Sequence, residues 1–404
     1  MATILAAKQP LALFGGMPIR QTLLPYGRQC LEEDDIEAVV EVLRSDWLTT
    51  GPKVEEFEEA FAFRVGAEHA VSFSSGTAAL HGAAFAAGLQ AGDEAITSPM
   101  TFAATANCVL YQGATPVFAD VSVDTLNLDP EQAARRVTAR TKAILAVDYA
   151  GHAAELDRFL DLAERHGFAL IEDACHALGA QYCGRRVGSI SHMTVFSFHP
   201  VKHITTGEGG IVTTNNAGFA ETLRRFRNHG IGSEARQRQN QGQWKYEMVL
   251  LGFNYRLSDI ACALGTSQLR KLESNLETRR QIAARYTEAF RSIPGVILPG
   301  VRPGVYPAWH LFPIRLAPAK FSVDRAEVFR ALRAENIGVN VHYIPVHLHP
   351  YYRERFGYSG GEFPVAEAAY ETLISLPMFH GMSDGDAEDV IQAVKKVLQS
   401  FTNS

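Results

Sequence analysis

The residue best suited to covalent chemistry is Lys202, carried in the run TVFSFHPVKHITTGEGGIVTT from Thr194 to Thr214. Apolar runs at Val195 to Phe198 and Ile211 to Thr214 read as short strands on either side. Between them, Pro200, Thr205, Thr206, Gly207, Gly209 and Gly210 make a turn-rich connection. Lysine is seldom set among buried strands without a partner or a task. A desolvated lysine has a lowered pKa, and as a neutral amine it can form a Schiff base with an aldehyde such as pyridoxal phosphate. A loop lysine with its head in water is the simpler reading of this stretch alone, so other groups must decide.

Ser74-Ser75-Gly76-Thr77 joins a strand to an Ala-rich helix. That arrangement turns backbone N–H groups and the positive helix end toward a phosphate, although a plain N-cap would look the same. The run lacks the lysine of a P-loop and the spacing of a dinucleotide fingerprint. Glu172-Asp173 ends a strand. Neighbouring strand side chains point to opposite faces, so only one of the two carboxylates can face a given site, which disfavours a paired-carboxylate glycosidase. A single carboxylate there could hold a protonated pyridine nitrogen, or be a surface acid in a βα loop. His342, His347 and His349 match no standard metal spacing and lie on chain broken by Pro345 and Pro350, so no metal site is expected. Arg224, Arg225 and Arg227 read as a solvated helix face.

The elements that would carry these groups alternate from Ala70 onward. Strands are expected at Ala70 to Phe73, Glu94 to Thr97, Pro116 to Asp120, Ala143 to Val147 and Phe168 to Ile171. Helices are expected at Thr77 to Ala87, Phe102 to Tyr111, after Asp129-Pro130, and at Leu156 to Arg165. Such alternation implies an α/β domain with a largely parallel sheet whose ligands gather beyond the carboxyl ends of its strands. Two amphipathic helices precede it, Glu33 to Arg44 and Lys53 to Arg64. Leu269, Leu272, Leu276, Ile282, Tyr286 and Phe290 suggest one long bridging helix. A smaller α+β unit follows, with strands Trp309 to Leu316 and Gly338 to His342 and helices Arg325 to Glu335 and Asp386 to Gln399. The expected division is an N-terminal extension over 1–25, a large α/β domain over 26–265, and the bridging helix with a small C-terminal domain over 266–404.

The 404 residues are 47% hydrophobic and 20% charged, an ordinary globular composition. A net charge of -6 argues against nucleic acid or a membrane surface as a partner. Five scattered cysteines without a C-x-x-C pair point to reduced thiols and a cytoplasmic setting. Lys8 and Pro10 break the N-terminus before a signal-peptide core could form, and no apolar run approaches a membrane span.

Taken together, Ser75-Gly76-Thr77, Phe102, Glu172-Asp173-x-x-His176, Ser197 with Lys202, and Gly252-Phe253-Asn254-Tyr255-Arg256 resemble the sugar-nucleotide aminotransferases of the DegT/DnrJ/EryC1/StrS family. The resemblance runs from about Tyr26 to Leu398. It implies the fold-type I, aspartate aminotransferase-like architecture and pyridoxal 5′-phosphate as cofactor, with Lys202 as its Schiff-base lysine. It implies Asp173 on the pyridinium nitrogen, His176 near the ring oxygen and Phe102 on the ring face. Ser75, Gly76, Thr77 and Ser197 would hold the phosphate, and Asn254 would reach it from the partner subunit of a homodimer with a shared active site. Sugar contacts would come from Tyr26, His229, Arg256, His342 and Tyr343.

Within the family, the segments YGRQ, FSFHPVKHITTGEGG, LGFNYR and VNVHYIPVHLHPYYRE look most like members that move the amino group of L-glutamate to C4 of a UDP-linked 4-keto-6-deoxy-N-acetylhexosamine, a step of pseudaminic acid biosynthesis. Ping-pong kinetics follow. The alternatives are a 4-aminotransferase acting on a UDP-4-keto-pentose or GDP-4-keto-6-deoxymannose, a non-catalytic regulatory protein that binds pyridoxal phosphate, and a metal-dependent hydrolase using the histidine loop. Some family members carry histidine at the lysine position and act as dehydratases, and Lys202 argues for amino transfer. Ser74, often Asn in relatives, and Gly151-His152-Ala153-Ala154, which lacks a proline often found there, depart from the family pattern.

Overall fold

The computed structural model describes residues 10–232, 238 and 242–403, so residues 1–9 of the expected extension lie outside it. The alternating segments build one seven-stranded sheet from β1 (His69–Phe73), β2 (Glu94–Thr97), β3 (Thr115–Phe118), β4 (Thr141–Val147), β5 (Ala169–Asp173), β6 (Met193–Ser197) and β7 (Gly210–Thr214). Their spatial order is β1-β7-β6-β5-β4-β2-β3. Neighbours run parallel except that β7 lies antiparallel to both β1 and β6. The chain moves outward from β2 to β3 and then returns to the other side of β2 with β4. The strand order therefore reverses between β2 and β4, the point at which an open α/β sheet opens a crevice at its carboxyl edge.

Local sequence explains the helices that flank this crevice. The helix Gly76–Ala86 starts where the Ser75 side chain accepts the Ala78 N–H at 3.1 Å, and it is buried around most of its circumference because Ala and Gly replace larger side chains. A Cβ on Gly82 would meet the Phe73 ring at 2.8 Å, so glycine there sets how closely this helix packs on β1. The helix Pro52–Val65 buries Phe57 and Phe61 against Phe196 and Phe198, with ring centroids 5.2 to 5.9 Å apart in edge-to-face pairs. Each such pair adds about 0.5–1.5 kcal/mol to the burial itself.

A second sheet of three antiparallel strands, Val296–Ile297, Phe312–Leu316 and Leu373–Leu376, carries its own core with the helices Leu272–Phe290, Arg325–Ala334 and Asp384–Phe401. The N-terminal segment docks there. Leu11 and Leu24 join this core, and the buried Glu335 carboxylate accepts the N–H groups of Ala12 and Ile19 at 2.9 Å each while pairing with Lys396. Among the described residues no helix is long and apolar enough to cross a membrane.

Three expectations need correction. The long bridging helix is two helices, Asp259–Arg270 and Leu272–Phe290. At the break Lys271 turns its ammonium to Asp34 and Asp35, each at 2.7 Å. The expected strand at 338–342 does not form. Gly338 N–H goes to Leu24 and Asn340 pairs with Ser375, so successive partners come from two different segments and no ladder can propagate. Arg227 is not on a solvated face. It follows the helix Ala217–Phe226, lies 6% exposed, donates to Ser72 O at 2.8 Å and forms a buried ion pair with Glu58.

Candidate active site

Lys202 lies in the β6–β7 connection, whose course is closed by Phe198 N–H to Gly209 O at 2.9 Å, Thr206 N–H to Phe198 O at 3.1 Å and the Thr205 hydroxyl to the same carbonyl at 3.0 Å. The phenylalanine cluster packs against Phe198 at the start of this connection, and Lys202 lines a cleft. Crowding by protein lowers the Lys202 pKa from the ordinary lysine value; Cys175 and Asp173 oppose that shift and the buried Arg279 adds to it. Lys202 is thus half-buried, on a connection that borders a cleft. Arg279 itself is fully buried and donates to the carbonyls of Trp309, His310 and Met378, tying together two segments that frame the cleft.

The cleft encloses about 540 Å³ at the carboxyl edge of the sheet. It brings together Tyr26, Ser75, Gly76, Thr77, Phe102, Asp173, His176, Ser197, Lys202, His342 and Tyr343. Asp173 ends β5 and is 6% exposed. One of its oxygens accepts the Thr105 hydroxyl at 2.6 Å and the other the Cys175 N–H at 3.2 Å. Glu172 points the other way, as strand alternation requires, and its carboxylate accepts the hydroxyls of Ser191 at 2.9 Å and Thr194 at 2.8 Å. Neither acid is a surface loop residue.

His176 Nε2 pairs with the Tyr343 hydroxyl at 2.9 Å, and its ring lies 4.3 Å from that of His310. Burial, reinforced by Lys202, holds His176 well below the usual histidine pKa, so the ring is neutral. His342 Nδ1 meets the Ser375 hydroxyl at 2.9 Å, and Tyr149 donates to the His342 carbonyl. Phe102 opens the helix Ala103–Tyr111 and is 61% exposed to the cleft mouth.

Asn254, His229 and Arg256 stand elsewhere. Asn254 bridges Asn228, His229 N–H goes to Phe253 O at 2.9 Å, and Arg256 donates to the Asn228 side chain at 2.8 Å. They form a small ladder outside the cleft lining of their own subunit. The histidine loop divides too. His342 faces the cleft, whereas His347 is 3.0 Å from Glu367, the two forming with Glu362 the one potential ligand group among the described residues. Both carboxylates there are engaged by backbone N–H groups of residues 359–363, as caps of a turn.

Sequence reasoning missed Thr105, Thr101, Asn340, His310, His199, Cys175 and Glu208, all of which line the cleft. Thr105 alone had a readable signal: it lies one helical turn after Phe102, on a helix opening at the carboxyl end of β2. Nothing local marks the others.

The residues present fit pyridoxal phosphate. The first N–H groups of the helix at Gly76 have no partner within the helix and face the cleft. A Cβ on Gly76 would strike Ser197 at 2.8 Å, so only glycine lets the phosphate cradle close on β6. His176 lines the same cleft, with its Nε2 on the Tyr343 hydroxyl.

The profile of the DegT/DnrJ/EryC1/StrS aminotransferase family matches residues 29–395. The spore coat polysaccharide biosynthesis protein SpsC of Bacillus subtilis is 44% identical over 382 residues, covering 94% of this chain and 98% of SpsC. Among solved structures, Helicobacter pylori PseC, an aminotransferase involved in the biosynthesis of pseudoaminic acid, superposes with a TM-score of 0.87 at 34% identity, over 94% of this chain and all (100%) of PseC. A Streptococcus pneumoniae protein described as a sugar aminotransferase, solved in its PLP form, gives a TM-score of 0.87 at 30% identity over 94% of this chain and 99% of that one.

Proposed function

The chain belongs to the DegT/DnrJ/EryC1/StrS aminotransferase family, and from that premise we propose that it transfers the amino group of L-glutamate to C4 of a UDP-linked 4-keto-6-deoxy-N-acetylhexosamine. The products are 2-oxoglutarate and UDP-4-amino-4,6-dideoxy-N-acetyl-β-L-altrosamine. The protein is a sugar aminotransferase of the α/β, fold-type I class, and its cofactor is pyridoxal phosphate. The observation that carries the proposal is the convergence of a desolvated amine, Lys202, a braced carboxylate, Asp173, and a helix N-terminus at Gly76 on one cleft.

When bound, pyridoxal phosphate supplies an electron sink and carries the amino group between the two substrates. This chain's residues do the rest. Lys202 Nζ tethers the cofactor and, once released, moves the proton on and off Cα of glutamate and C4 of the sugar; its lowered pKa favours the free amine that this role needs. Asp173, held in place by Thr105, would accept a hydrogen bond from the protonated ring nitrogen and keep it protonated. Neutral His176 would stand near the ring oxygen, its ring oriented by the Tyr343 hydroxyl on Nε2. Ser75, Gly76, Thr77 and Ser197 hold the phosphate, and Phe102 covers the ring and sheds water.

Tyr26, His342 and Tyr343 contact the sugar. Asn254, His229 and Arg256 act on the cleft of a second subunit in a homodimer, a reading supported by the exposed Met248, Leu251 and Phe253 on the same ladder and the exposed Trp244 ahead of it in the chain. The PseC likeness supports the UDP-linked N-acetylhexosamine over the pentose and GDP-linked acceptors. The reaction belongs in the cytoplasm, where nucleotide sugars and reduced thiols coexist.

An absorbance titration tests this. The band of the bound aldehyde is expected to vanish with L-glutamate and to return with the UDP-4-keto-6-deoxy-N-acetylhexosamine. Return with a UDP-4-keto-pentose or GDP-4-keto-6-deoxymannose instead would reassign the acceptor. No response to glutamate would remove Lys202 from its role.

A further inference from the structure

Behind Asp173, on the opposite face of the sheet, lie two carboxyl groups that the reaction does not use. Asp148 follows the last residue of β4, and Glu172 precedes Asp173 on β5; in the parallel register Val147 stands beside Asp173 and Ala146 beside Glu172. Both acids are 0% exposed. Asp148 Oδ1 accepts the Ala154 N–H at 2.8 Å, and Glu172 Oε2 accepts the hydroxyls of Ser191 and Thr194. That leaves one oxygen on each, Asp148 Oδ2 and Glu172 Oε1, buried and without a protein donor. The two side chains are within hydrogen-bond reach of each other.

Two orphaned carboxylate oxygens face to face in a dry interior cannot both be left as they stand. Each would forfeit its hydration, and the like charges would repel. One proton between them satisfies both oxygens and removes one charge. Among the described residues, the other charged groups that bear most on the pair are Asp173, which adds negative charge, and Arg185, which is ion-paired with Asp157.

We propose that Asp148 and Glu172 share a single proton, and that this proton-bridged pair is the positioning group that fixes the Asp173 carboxylate from behind. The mechanical path is short. The Asp148 N–H donates to the Asp173 carbonyl at 3.1 Å, so the pair clamps the ends of β4 and β5 together where Asp173 leaves the strand. Asp148 also opens the turn Tyr149–Gly151, whose carbonyls receive the N–H groups of His310 and Ala308 at 3.0 and 2.9 Å. The electrical consequence is that Asp173 has one negative charge behind it rather than two. Burial, and next the charge of Glu172, pushes the Asp148 carboxyl well above the ordinary range, in keeping with the proton residing there.

The role given to the pair rests on the reading of Asp173 as the cofactor's partner, whereas the proton itself does not, so the two are tested separately. Infrared spectra of the full-length protein, with and without pyridoxal phosphate, are expected to show the carbonyl stretch of an un-ionised carboxylic acid that persists up to about pH 9. Asp148→Asn removes that band, and its absence from the wild-type protein overturns the proposal whatever the enzyme does. In the holoenzyme, Asp148→Ala is expected to lower kcat by more than about tenfold with KM for glutamate changed less than about threefold. It also shifts the pH midpoint of the cofactor's absorbance. Asp148→Asn, whose amide still donates to Glu172, recovers most of both. A band present with Asn as damaging as Ala overturns the positioning role and leaves the reading of Asp173 intact. Should the Ala variant fail to fold, the infrared band and the Asn variant still decide.

Discussion

The floor of the cleft and the ladder at residues 228–256 solve opposite problems. On the floor, the groups that face the cofactor site are braced by the chain itself: Asp173 by Thr105 and Cys175, His176 by Tyr343, Lys202 by a connection closed on Phe198. On the ladder, Asn254, His229 and Arg256 share a segment with Leu251, which is 75% exposed, and Trp244, 86% exposed, precedes that segment in the chain. Rigid positioning by strand ends suits chemistry on one invariant cofactor. An apolar rim carrying polar groups suits a surface completed by another surface.

Removing the amine tests the floor most severely. Lys202→Ala is expected to lower kcat by about a thousandfold or more with the thermal midpoint scarcely moved, because its crowded site loses a charge-prone group rather than core packing. Production of 2-oxoglutarate measures it, and retention of activity would detach the floor from catalysis.

On the ladder, the double variant Trp244→Asp with Leu251→Asp is expected to convert dimers to monomers in light scattering and to cost more than about tenfold in activity with the circular dichroism unchanged. Monomers with full activity would show that the floor suffices alone. Between the regions, Glu58→Ala removes the carboxylate from the buried pair with Arg227, just before Asn228, and breaking such a pair costs about 3–5 kcal/mol. Denaturant unfolding reads that loss.

A finer probe is Thr105→Val, which keeps the shape but withdraws a donor from Asp173. About 1.5 kcal/mol, or roughly tenfold in kcat, is expected, with no change in oligomeric state. A pH series probes both regions at once. Burial holds His81, under the ladder aromatics Phe253 and Tyr255, and His342, in the cleft, at about 4, below the ordinary value of 6.5. The unfolded chain then binds more protons than the folded one between those values. Stability is therefore fully present above about pH 6.5 and declines as pH falls toward about 4, which a thermal-melt series checks. If only His342→Gln flattens the decline, the titration belongs to the cleft and not to the ladder.

Much of the floor was legible because its signals are local. Ser75 before an Ala-rich run marks a helix start, two β-branched or aromatic runs around a Gly/Thr turn mark the Lys202 hairpin, and adjacent acids at a strand end must point to opposite faces. The same logic misjudged Arg227, because its fate depends on Glu58, 169 residues away along the chain. It also ran Leu269 to Phe290 together, because the apolar spacing continues through a break set by Lys271 turning to Asp34 and Asp35.

The sequence by itself determined the element order, the parallel α/β class and the chemical types gathered at strand ends, since propensity, capping and periodicity act over a few residues. Only the tertiary structure decided which oxygen Thr105 meets 68 residues away, which histidine Tyr343 orients 167 residues away, and which two buried acids are left facing each other. Such pairings depend on where separate strands end in space. Spacing along the chain carries no record of that.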